Sequence, residues 1–142
     1  MRALLDVNVL IALLDADHIH HVTARDWLTA NIADGWASCA MTQNGCIRVL
    51  SQPNYPNALA PADVAARLRE ATQAPFHHYW SDAPSLLASS SVDWQLVHGS
   101  VQVTDVYLLG LAVHHGGRLV TFDHSVPRRA VATAEAAHLL LL

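Results

Sequence analysis

The stretch Arg2-Ala3-Leu4-Leu5-Asp6-Val7-Asn8-Val9-Leu10-Ile11-Ala12-Leu13-Leu14 sets the fold of this chain. Ala3, Leu4 and Leu5 are consecutive apolar residues that stop at an acid, so Arg2 to Asp6 reads as a short buried strand. A strand covered on both faces, as in a parallel sheet, shows such a run instead of alternation. Asn8 to Leu14 is apolar and helix-compatible, and it ends near Asp15-Ala16-Asp17. The chain therefore opens on a strand, an acid and a helix.

Outward from this start the alternation continues. Trp27, Leu28 and Ile32 fall at helical spacing, which predicts a helix over Thr23 to Ile32, stopped by Asp34-Gly35. Trp36 to Ala40 reads as a second strand. Thr42 to Leu50 reads as a helix despite Gly45, with Pro53 beyond its end. Gln52-Pro53-Asn54-Tyr55-Pro56-Asn57 is a loop by its Pro and Asn content. Pro61 suits the first turn of a helix running to about Ala71. Phe76 to Trp80 is a strand candidate, and Ser81-Asp82-Ala83-Pro84 reads as the start of another short helix. Thr104 is a good N-cap for a helix through His115, closed by Gly116-Gly117. Arg118 to Phe122 is a strand ending at Asp123, and Ala137 to Leu142 is a final strand. Helices alternating with short apolar strands imply an α/β domain, a three-layer α/β/α sandwich around a parallel sheet. No composition shift marks a boundary, so residues 1–142 are read as one domain.

Composition narrows the chemistry. The chain has 142 residues, 52% apolar and only 14% charged, which suits a full core and excludes wholesale disorder. All eight basic residues are Arg, and Lys is absent. That excludes a catalytic Lys, a Schiff base and the Gly-Lys-Ser/Thr phosphate loop. It also argues against a phosphoacceptor receiver domain, which shares strand-end acids but needs a Lys beside the phosphate. The net charge of −4 is not that of a nucleic-acid binder working through a broad basic surface. Cys39 and Cys46 are too few for a disulfide framework and leave a single bridge open. The N-terminal apolar run is too short for a signal peptide, and no run approaches membrane-spanning length. The expectation is a soluble, cytoplasmic protein without a membrane partner.

Charged residues are scarce, so an acid in an apolar setting is informative. Asp6 and Asp123 end two of the expected strands, and ligands of open parallel sheets sit beyond the carboxyl ends of the strands. Asp105 opens a helix so apolar that its first turn should lie at the same rim. Two carboxylates about 5 Å apart repel by roughly 3 kcal/mol at an effective dielectric of 20. Three such groups protonate or hold a cation, and oxygen-only ligands select Mg²⁺ or Mn²⁺ over zinc. Taken singly, each acid also fits a plain role: Asp6 and Asp123 in turns, Asp105 at a helix start. Asn8 fits either a helix cap or a residue that orients Asp6.

Four segments resemble the motifs of the PIN-domain ribonucleases. Leu4-Leu5-Asp6-Val7-Asn8-Val9-Leu10-Ile11-Ala12-Leu13 resembles their opening motif. Met41-Thr42-Gln43-Asn44-Gly45-Cys46-Ile47-Arg48-Val49-Leu50 resembles the segment that usually carries their second acid. Val103-Thr104-Asp105-Val106-Tyr107-Leu108-Leu109-Gly110-Leu111-Ala112 resembles the third motif, and Leu119-Val120-Thr121-Phe122-Asp123 the fourth. The match spans almost the whole chain in the family's order. Small size and the Asn-Gly-x-x-Arg segment look most like the VapC toxins of type II toxin–antitoxin pairs.

The resemblance implies a four- or five-stranded parallel sheet and Mg²⁺- or Mn²⁺-dependent hydrolysis of RNA phosphodiester bonds. It also implies a homodimer and an antitoxin partner that blocks the site. By position, Asp6, Asp105 and Asp123 become the metal ligands, Asn8 a supporting residue and Thr121 a hydrogen-bonding one. Gln43 or Asn44 stands where the family usually has Glu, so one negative charge is missing. The alternative is therefore a catalytically weak PIN-like module that binds RNA or a protein without cutting.

Other residues carry two readings each. His18, His20, His21, His77-His78 and His114-His115 invite a metal but fit structural roles, the last pair by the helix dipole. Arg48 fits a contact to phosphate or a structural ion pair. Trp27, Trp36, Trp80 and Trp94 are too scattered for a stacking platform and suit a core or a dimer interface. Arg128-Arg129 fit an RNA backbone contact or a solvated face.

Overall fold

The computed structural model describes residues 1–83, 85–88 and 90–142. Five strands, β1 (Ala3–Leu5), β2 (Trp36–Ser38), β3 (His77–Tyr79), β4 (Arg118–Thr121) and β5 (Leu139–Leu141), form one sheet in the order β3-β2-β1-β4-β5. Every pairing is parallel, with Leu4 opposite both Ala37 and Leu119. Parallel neighbours need crossover connections. These are supplied by α1 (Val7–Leu14), α2 (His21–Asn31), α3 (Ala40–Leu50), α4 (Pro61–Thr72) and α5 (Val101–His114).

Alternation along the strands divides the core into two layers. Ala3, Leu5, Trp36 and Val120 pack with Val9 and Leu10 of α1, Cys46 and Leu50 of α3, and Val64 and Leu68 of α4. Leu4, Ala37 and Leu119 point to the other face and pack with Val106, Leu108, Leu109 and Leu111 of α5. The result is the expected α/β/α arrangement. Leu4, Leu5, Leu108, Leu109, Leu111 and Leu119 are fully buried. Each such side chain stabilises the fold by about 1.5–3 kcal/mol relative to an exposed one. A Cβ at Gly45 would lie 2.5 Å from Val7 Cγ2, so α3 approaches α1 too closely for a side chain there.

The strands and most helices fall within a few residues of the sequence reading. Two expectations need correction. The helix expected to start after Thr104 starts at Val101, with Ser100 at its cap, so Asp105 is its fifth residue. Thr104 is an exposed residue inside the helix. In the first turn Gln102 Oε1 accepts the His98 N–H of the preceding loop at 2.8 Å. The helix expected from Ser81 is absent at residues 81–83. Asp82 does not cap it; its carboxylate accepts the Tyr107 hydroxyl at 2.7 Å. The rest of that expectation, at Pro84, lies outside the described residues.

Both cysteines are free and buried, and burial pushes the Cys46 thiol up to about 12. Trp36 and Trp80 are core residues, while Trp94 is exposed. Among the described residues no helix is long and apolar enough to cross a membrane.

Candidate active site

The rim beyond the carboxyl ends of β1 and β4 gathers the polar residues. Leu4 and Leu119 face α5, and Leu5 and Val120 face α1. By the two-residue period, Asp6 and Thr121 turn back toward α5, the helix that carries Asp105. Asp6 is the cap of α1, accepting the Val7 N–H at 2.6 Å. Its other oxygen accepts the Thr121 hydroxyl at 2.6 Å. The plain capping role and the rim position thus belong to the same carboxylate.

Thr121 is the hub. Its single proton goes to Asp6, and its oxygen accepts Asn8 Nδ2 at 2.9 Å and the Asp123 N–H at 3.0 Å. That exhausts a hydroxyl's capacity of one donor and two acceptor sites. Asn8 Oδ1 in turn accepts the Phe122 N–H at 3.2 Å. Asn8 therefore binds β4 to α1 and does not cap α1. Asp123 Oδ1 accepts the Ser125 N–H at 2.7 Å, which fixes the turn after β4.

Asp105 is different. It is 6% exposed, and its Oδ2 is buried without a hydrogen-bond partner among the described residues. Burial first, then the charges of Asp123 and Asp6, push its pKa up to about 6. Burial likewise raises Asp6, with Asp123 adding to the shift, whereas hydrogen bonds from Ser125 lower Asp123. The three acids feel one another's charge. Among the described residues, though, no three acid, histidine or cysteine side chains stand close enough to form a finished metal cage. What the rim does present is one unclaimed buried carboxylate oxygen, Asp105 Oδ2. That donor set fits a hard divalent cation, which takes carboxylate oxygens.

Gln43 lies elsewhere in the network. Its Nε2 donates to Ser38 Oγ at 2.9 Å, and Ser38 Oγ lies 2.8 Å from His77 Nε2. The amide is therefore tied to β2 and β3. Asn44 is exposed. Ser38 escaped the sequence reading, and His77 was not linked to it or to Gln43, because the β2–β3 register, Trp36 opposite His77, is what joins them.

The remaining candidates settle mainly into structural roles. His77 packs on Trp36 and His115 stacks on Trp80. His21 Nδ1 lies 2.7 Å from the Ala12 carbonyl, joining α2 to α1. Arg128 donates to the Ala134 carbonyl at 2.9 Å. Arg48 enters none of the ion pairs among the described residues. His20 stacks on Phe122, with ring centroids 4.4 Å apart.

The PIN domain model matches residues 3–132, and the chain belongs to the PIN-domain family. It is similar over its full length to Ribonuclease VapC44 of Mycobacterium tuberculosis, 53% identical across all of both chains. It is 40% identical to Ribonuclease VapC39 of the same organism over 133 residues, covering 93% of this chain and 96% of that one. In fold it resembles the crystal structure of Mycobacterium tuberculosis VapC20, described as a Sarcin-Ricin loop cleaving toxin. That likeness has a TM-score of 0.64 at 13% identity and covers 92% of this chain and 96% of that one. It also resembles a chain of VapBC2 from Rickettsia felis bound to a DNA fragment from its promoter. Here the TM-score is 0.62 at 11% identity, with 100% of this chain and 98% of that chain covered. At those identities the two structures speak for the fold alone.

Proposed function

We propose that this chain, as one PIN-like domain over residues 1–142, is a divalent-metal-dependent endoribonuclease and the toxin of a type II toxin–antitoxin pair. Asp6, Asp105 and Asp123 are the residues that would hold Mg²⁺ or Mn²⁺. The observation that carries this reading is Asp105 Oδ2: a buried carboxylate oxygen without a partner among the described residues, on an acid that the charges of Asp123 and Asp6 help to raise. The similarity to VapC ribonucleases supplies the substrate class. A bound Mg²⁺ or Mn²⁺ supplies positive charge against the scissile phosphate and polarises water for attack on phosphorus.

The chain's own residues hold the acids for that task. Thr121 fixes one oxygen of Asp6, and the Val7 N–H fixes the other. Asn8 locks β4 against α1, so Asp123 leaves the strand at a set point. The apolar body of α5 keeps Asp105 out of bulk water. A protein antitoxin, a homodimeric assembly and action on RNA in the cytoplasm belong to the same proposal.

The test is cleavage of total cellular RNA in Mg²⁺. Activity should vanish with EDTA and in Asp105→Ala and Asp6→Asn, the latter keeping a side chain able to cap α1. Full activity in either variant would refute the assignment. One observation favours a second reading, a module that binds without cutting: residue 43 is an uncharged amide whose hydrogen bond goes to Ser38.

A further inference from the structure

We propose that the solvent face of His20, backed by Phe122, seats an unpaired RNA base next to the scissile phosphate. This rests on the nuclease reading and adds to it a place where the substrate is gripped. Phe122 follows Thr121 and precedes Asp123, and its N–H is held by Asn8 at 3.2 Å. Its ring packs on the apolar layer beneath α1. His20 lies over that ring at 4.4 Å between centroids and 19° between planes. The stack therefore rises from the acid rim on the α1 side, across from Asp105 on the α5 side.

The platform is held in place without using the His20 ring. The His20 N–H donates to His18 Nδ1 at 3.1 Å, which fixes the loop ahead of α2. His20 stands at the cap position of α2, but its side chain makes no capping bond. The His18 ring lies 5.7 Å away at 44°, flanking the stack. His20 is exposed, so a planar group can reach it.

Charge makes stacking the better grip here. With a net charge of −4 and acids at the rim, the protein has little Coulombic attraction for phosphates. Base stacking on aromatic side chains, His included, works without net charge and tolerates any base. The occupant is therefore a single-stranded nucleotide, not a paired helix whose bases are covered.

The experiment is fluorescence anisotropy of the full chain with a labelled single-stranded RNA of random sequence, with Ca²⁺ in place of Mg²⁺. His20→Ala should weaken Kd roughly ten- to a hundredfold, and His20→Trp should restore wild-type affinity. The far-ultraviolet spectrum should stay unchanged in both variants, and both should unfold cooperatively well above the assay temperature. Wild-type affinity in His20→Ala would overturn the platform and leave the nuclease reading standing. His20→Trp binding no better than His20→Ala would also overturn it, by assigning the contact to charge or hydrogen bonding. Absence of RNA binding by the wild-type protein would overturn the nuclease reading, and the platform with it.

Discussion

Thr121 and Asp6 lie 115 positions apart and meet through a 2.6 Å hydrogen bond in which the Thr121 hydroxyl donates to the carboxylate. The same oxygen receives Asn8 and the backbone of Asp123. Thr121→Val keeps the shape and removes all three bonds. Leaving buried polar groups without partners costs about 1–3 kcal/mol each. The valine variant should lose roughly 2–4 kcal/mol in urea unfolding and most RNA cleavage, whereas Thr121→Ser should keep much of both. A valine variant as stable and active as wild type would remove Thr121 from the site.

Asp105 should make stability depend on pH in an unusual direction. Its carboxyl titrates near 3.8 when unfolded and at about 6 when folded. Between those values the folded chain keeps a proton that the unfolded chain releases, so this residue's effect on stability worsens as pH rises from about 4 to about 6. Well above pH 6 the penalty is complete, at most about 3 kcal/mol and less once solvent screening is counted. Asp105→Asn should therefore be more stable than wild type at pH 7 and converge with it below about pH 4. Urea midpoints at the two ends of that range measure the difference. A variant less stable than wild type at pH 7 contradicts the account.

A cation held by Asp105, as proposed, would relieve the same penalty. Mg²⁺ or Mn²⁺ should raise the melting temperature of the wild-type protein at pH 7, and EDTA should reverse the rise. A hundredfold excess over Kd corresponds to about 2.7 kcal/mol. Asp105→Asn should lose most of the response. A rise of equal size in that variant places the ion elsewhere.

Gly45 predicts a packing defect that a second mutation repairs. In Gly45→Ala the new methyl group meets Val7 Cγ2 at 2.5 Å. Overpacking costs about 1–3 kcal/mol, set against a helix-propensity gain of about 1 kcal/mol. The double variant Gly45→Ala, Val7→Ala should show positive coupling in a double-mutant cycle. Strict additivity would mean that α1 and α3 separate more easily than their contact implies.

Gln43→Glu weighs the two functional readings. A carboxylate at 43 cannot donate to Ser38 Oγ, so the bond present in the wild type is lost or reversed. If the protein already cuts RNA, the change in rate should be modest. Cleavage that is absent in wild type and emerges in the variant would establish the binding module.

The opening strand and helix are legible because Ala3 to Leu14 carries its own pattern: an unbroken apolar run, one acid, then a helical face. Asp6 and Asp123 are legible for the same reason, as charges at the ends of apolar runs. The start of α5 is less legible, because Thr104 satisfies a capping rule although the helix already begins at Val101. Ser81-Asp82-Ala83-Pro84 has the composition of a helix start, but the Asp82 carboxylate is taken by Tyr107, 25 residues on. The Gln43–Ser38–His77 chain and the His20–Phe122 stack depend on strand register and loop path. Such contacts between distant residues leave no periodic trace in the sequence.

The sheet order β3-β2-β1-β4-β5 places the first strand in the middle and gives it as neighbour a strand from near the other end of the chain. During translation Asp6 emerges early, and Thr121 follows only 115 residues later. At about 5–20 residues per second, that gap lasts roughly 6 to 23 s. A nascent polypeptide still on the ribosome holds the first acid of the cluster but neither Thr121 to brace it nor Asp123 beside it. If the chain is the nuclease proposed above, its acid rim stays unfinished until β4 has been made and has paired with β1.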